Sequence, residues 1–75
     1  MNKIIITGNG QGRYQQEVSI GRHQLLADEP ESLGGDDSGP SPMEFVLTGL
    51  GACTAITLRM YAERKDLNLT QVSVA

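Results

Sequence analysis

The residue pattern predicts an α+β fold: an antiparallel β-meander of about three strands, a long central helix, then a further strand. Three observations carry this expectation. Short β-branched or alternating segments separated by glycines occupy residues 3–28. A helix-start signature stands at Ser41-Pro42-Met43-Glu44, and apolar residues then recur to about Lys65, a run far longer than a strand.

Lys3-Ile4-Ile5-Ile6-Thr7 is a β-branched run closed by Gly8, and residues 14–20, Tyr-Gln-Gln-Glu-Val-Ser-Ile, alternate in part, so both are expected as strands. Between them, Gly8, Gly10 and Gly12 with Asn9 provide backbone that accepts positive φ at little cost, which suits a hairpin connection. Gly21-Arg22 is expected as a tight turn into a third strand at 23–28, His-Gln-Leu-Leu-Ala-Asp. Short links between successive strands imply antiparallel pairing in chain order.

From Glu29 to Pro40 the chain is dense in turn formers and acids, so a loop is expected there. Asp28, Glu29, Glu31, Asp36, Asp37 and Glu44 all fall between Arg22 and Arg59, an interval with no Lys or Arg. The bland reading is a solvated negative lobe; a calcium loop is the sharper one, and a loop, 28–37, that docks a basic partner is a third, weaker one. The acids lack the alternate spacing and distal Glu of an EF-hand calcium loop.

Ser41 can cap a helix, Pro42 is pre-set for the first helical position, and Glu44 is placed to reach back to the cap amide. The helix is expected to run to about Lys65, with Glu63-Arg64-Lys65 bringing bases to its last turn, roughly 35 Å in all. Residues 69–75, Leu-Thr-Gln-Val-Ser-Val-Ala, alternate and are expected as another strand. Along the helix, Val46, Leu50, Cys53, Ile56 and Met60 share one face, while Met43, Leu47, Leu58 and Tyr61 spread around the rest. A helix apolar nearly all round requires burial on more than one side. One sheet covers one side only, so the 75-residue unit is expected to need a second copy or a continuation of the chain.

Size points the same way. A core drawn from so few residues supplies only about 3–5 kcal/mol unaided, and a single cysteine closes no intrachain disulfide. With 39% apolar and 20% charged residues the composition is globular rather than disordered. A net charge of −3 argues against nucleic acid, which needs clustered Lys and Arg. The apolar run Ile4-Ile5-Ile6 is too short for a signal-peptide core, and no uninterrupted stretch approaches the roughly 20 apolar residues of a membrane span. The expectation is a cytoplasmic protein with a free thiol and neither a nucleic-acid nor a membrane partner.

Few residues can carry chemistry. The glycines at 8, 10 and 12 fail as a dinucleotide fingerprint, because Arg13 follows and the next element is a strand. His23 has no second ligand at metal spacing. Cys53, within Leu50-Gly51-Ala52-Cys53-Thr54, reads either as a small buried hydrophobe or as a nucleophile. Gly49 and Gly51 favour the second, since each costs about 1 kcal/mol in a helix interior. They admit a closely approaching backbone or kink the helix, and a kink would leave the thiol near a new helix amino end. Arg13 or Arg22 could add positive charge if the sheet folds over the thiol.

Gly34-Gly35-Asp36-Asp37-Ser38-Gly39-Pro40-Ser41-Pro42-Met43-Glu44, followed by Cys53 in Leu-Gly-Ala-Cys-Thr and by Leu58-Arg59-Met60-Tyr61-Ala62, resembles the OsmC/Ohr family of bacterial thiol redox proteins. His23-Gln-Leu-Leu-Ala-Asp-Glu-Pro30 fits the same pattern, so the likeness spans about residues 14–75. It implies an intertwined homodimer with the long helix buried against sheets, residues 1–75 being a single partial domain, the amino-terminal half. It also implies reduction of organic hydroperoxides in oxidative stress, with Cys53 at the peroxidatic position and an Arg and a Glu activating its thiolate. Arg13 and Glu44 are the residues assigned to those roles. The sequence departs from the pattern in three ways: no resolving cysteine is present, Met43 stands where the activating Glu is placed with Glu44 one later, and the glycine-rich turn leaves the register of Arg13 open. No cofactor or metal is expected. The alternative is a non-enzymatic dimer of this fold with a buried thiol and a cleft for a small apolar ligand.

Overall fold

The computed structural model describes residues 2–67 and 71–74. The chain divides into two compact units, Met1–Phe45 and Val46–Ala75.

The first unit contains a three-stranded antiparallel sheet in chain order: β1 (Ile4–Gly8), β2 (Gln16–Ile20) and β3 (His23–Ala27). In register, Ile6 pairs with Val18 and Val18 with Leu25, while Ile4 pairs with Ile20 and Ile20 with His23. Because strand side chains alternate, these rows put Ile4, Ile6, Val18, Ile20, Leu25 and Ala27 on one face. Val18, in the middle, is 8% exposed, yet Ile4, Ile6 and Leu25 remain open. The opposite face is mixed, and there Gln24 Nε2 donates to Ser19 Oγ at 2.7 Å.

Each strand is displaced or shortened relative to the expectation. β1 is shifted by one residue, to Gly8. β2 begins at Gln16 rather than Tyr14, because Tyr14 belongs to the connection, where the Arg13 guanidinium lies 5.1 Å from its ring centroid. β3 ends at Ala27 rather than Asp28, whose backbone N–H donates to the Pro40 carbonyl and whose side chain turns into the following loop. The β2–β3 turn rests on Gly21 at φ 58°, the positive value a two-residue hairpin loop requires.

The β3–α1 connection carries a 3₁₀ turn, Glu31–Leu33, and leads into α1 (Pro42–Arg64). The helix starts on a reciprocal capping box: Glu44 N–H donates to Ser41 Oγ (3.2 Å) and Ser41 N–H to Glu44 Oε1 (2.8 Å). It ends in a Schellman arrangement, with Asp66 N–H donating to Glu63 O (3.2 Å) and Leu67 N–H to Ala62 O (2.8 Å). Asp66 occupies the left-handed position at φ 57°, where glycine is the usual occupant.

The helix runs unbroken through Gly49 and Gly51, so neither glycine ends it or starts a new one. Its apolar residues are spread around it rather than gathered on one stripe, and Ala62 is its one buried residue among those described. The further strand at 69–75 is not seen: residues 71–74 form neither strand nor helix, and 68–70 and 75 lie outside the described residues.

Candidate functional site

Cys53 lies in the middle of α1, in the second unit, as an exposed free thiol. The reading of it as a buried hydrophobe is corrected for the single chain, since this stretch of helix has no cover. An unbroken helix also denies it a nearby amino end: the backbone donors around it belong to the helix's own ladder, and Thr54 Oγ1 donates back to Leu50 O at 3.0 Å. Open grooves run along the helix beside it, one of about 470 Å³ lined by Leu47, Thr48, Gly51, Ala52, Ala55 and Val74. A Cβ added at Gly49 would meet nothing within 4 Å, and one at Gly51 would make only ordinary contact with Val74. Nothing described in the chain therefore requires either glycine.

Arg13 and Glu44 belong to the first unit. Arg13 is exposed, rests over Tyr14, and places Nη1 3.2 Å from where a Gly34 Cβ would stand. Gly34 is needed there for its φ of 93°. The Glu44 carboxylate is committed to the helix cap. It thus has a structural partner, on a side chain that is otherwise exposed.

Asp28 is the residue that sequence reasoning missed. Counted among the acids of a solvated lobe, it is 2% exposed and organises the connection between β3 and α1. Its Oδ2 accepts from Ser38 Oγ (2.7 Å), Ser38 N–H (3.2 Å) and Asp36 N–H (3.3 Å), and its Oδ1 from Glu29 N–H (2.7 Å). The Ser38 hydroxyl is the main cause holding this carboxyl below its ordinary pKa, with backbone donors adding to it against the opposing effect of burial. Two glycines permit the wrap. A side chain at Gly35 would collide with the Glu29 carbonyl, and one at Gly39 with the Leu26 carbonyl. Their spacing after Asp28 was the available signal. The expected negative lobe thereby loses one of its charges to the interior.

Beside this connection, an open groove of about 550 Å³ is lined by Leu25, Leu26, Pro40 and Phe45, with Glu17 and Gln24 at its polar edge. Among the described residues no group of three or more His, Cys, Asp or Glu is placed to hold a metal. The expectation that no segment is apolar enough for a membrane needs correction: α1 has the length and composition to span one. Counting uninterrupted apolar residues overlooked that Gly and Thr break the run while adding little polarity.

A family model described as OsmC-like protein matches residues 35–75, more than half of the chain. No curated protein and no solved structure matches it.

Proposed function

The chain belongs to the OsmC-like family, and on that premise we propose that it is a thiol redox protein in which Cys53 reduces organic hydroperoxides. The observation that carries this reading is an exposed free thiol on a helix lying wholly within the matched residues. The Cys53 thiolate attacks one oxygen of the peroxide, the O–O bond breaks, and the alkoxide leaves as an alcohol after taking a proton. The sulfur is left as a sulfenic acid. An external thiol condenses with it, releasing water and forming a mixed disulfide, and a second thiol reduces that disulfide. The electrons come from thiols, so the cycle uses no cofactor.

In this proposal Arg13 stabilises the thiolate and Glu44 orients Arg13, within a homodimer whose helices cover one another. Members of the family are commonly dimers and the family is a soluble one, which supports that assembly and a cytoplasmic setting.

The test is consumption of cumene hydroperoxide by the full chain with a dithiol reductant, alongside the rate of Cys53 alkylation near neutral pH. Cys53→Ser is expected to abolish turnover, and Arg13→Met to slow alkylation while leaving the fold intact by circular dichroism. A thiol inert to both reagents in folded protein sinks the proposal and leaves the ligand-binding alternative.

A further inference from the structure

The Asn9-Gly10 pair, in the connection between β1 and β2, is used neither by the packed sheet nor by the thiol chemistry. Gly10 sits at φ 73°, is exposed, and has nothing within 4 Å of where a Cβ would stand. With no side chain of its own and open space where one would stand, its peptide nitrogen is unobstructed on that side. The Asn9 carboxamide, by contrast, is held: Gln11 N–H donates to Asn9 Oδ1 at 2.9 Å. The ring closed by that hydrogen bond includes the Gly10 nitrogen, so the carboxamide is folded back along the peptide that follows it. The same bond sets a backbone donor on the oxygen that turns negative when Cγ is attacked, which is the arrangement that stabilises a tetrahedral oxyanion.

We propose that Asn9 is a self-modification site, at which the folded turn accelerates conversion of the side-chain amide to an acid. The Gly10 nitrogen, losing its proton to solvent base, forms a bond to Asn9 Cγ. The oxyanion, held by Gln11 N–H, collapses as the Cγ–Nδ2 bond breaks and the nitrogen leaves as ammonia. The resulting five-membered imide takes up one water at either carbonyl, giving aspartate or isoaspartate at position 9. Water is the only co-reactant and nothing is oxidised or reduced. The product places a new negative charge on the rim of the groove that already carries Glu17. Its isoaspartyl form also lengthens the backbone between β1 and β2 by one carbon.

The experiment incubates the full chain near neutral and at mildly alkaline pH and follows the tryptic peptide 4–13 by mass spectrometry, with an isoaspartate-specific assay. A synthetic peptide of the same residues is run in parallel. Conversion in the folded chain is expected to be severalfold faster than in the peptide, faster than at Asn2 or Asn68, faster at alkaline pH, and absent in Asn9→Gln. Position 9 remaining an amide, or converting no faster in the folded chain than in the peptide, overturns the proposal.

Discussion

Four hydrogen-bond donors converge on the Asp28 carboxylate, and they favour its charged form. Its folded-state pKa is lowered, so the stability it contributes is fully present above the unfolded carboxyl's value and is lost as pH falls through the folded one. Acid titration followed by circular dichroism is expected to show no change from neutral pH down to about pH 4, then loss of structure below it. Asp28→Asn should flatten that acid limb and lower the melting temperature at neutral pH, because its amide nitrogen would face backbone donors. An unchanged acid limb in the variant would falsify the role given to this residue. Asp28 was not legible in the chain because a carboxylate's surroundings depend on which distant residues reach it. Ser38, ten positions on, arrives only after the backbone has folded past Gly35 and Gly39.

At the scale of the element, α1 is bounded by two local devices of opposite quality. Its start is well formed, and Ser41→Ala is expected to cost about 1 kcal/mol, read from the denaturant midpoint. Its end carries an acid in the left-handed position, beside carbonyls whose partial charge is also negative. Asp66→Gly is expected to stabilise the helix by about 1 kcal/mol, relieving the strain of a side chain at positive φ. A fall in stability would show that Asp66 has a partner that compensates. The start was legible because Ser41, Pro42 and Glu44 act on one another within a single turn. The Schellman end was not, since the residue that usually announces it, glycine, is absent.

For the whole molecule, the deciding fact is uncovered apolar surface. Val46, Leu47, Leu50, Ile56, Leu58, Met60 and Tyr61 are all exposed on one helix, and Ile4, Ile5 and Ile6 on one edge strand. Large apolar side chains left open in this number are what the proposed dimer would cover. Sedimentation of the full chain is expected to show self-association that strengthens with concentration; a folded monomer at all concentrations would count against it. Gly49→Ala separates two roles for a glycine that nothing in the chain requires. If Gly49 only weakens the helix, the alanine adds about 1 kcal/mol of stability and leaves association unchanged. If a second backbone packs there, as the proposed dimer implies, association weakens instead.

Periodicity, turn residues and capping chemistry determined the order and type of the three strands and the helix, because those preferences act between residues a few positions apart. The motif around Cys53 likewise determined the family, which needs no folding to be read. Only the tertiary structure decided that Asp28 is interior, that the helix continues through its glycines, and that Cys53 is open to solvent in the single chain. Burial and hydrogen bonding are properties of what meets in space. In a chain this short, local pattern specifies each element well before it specifies what each element touches.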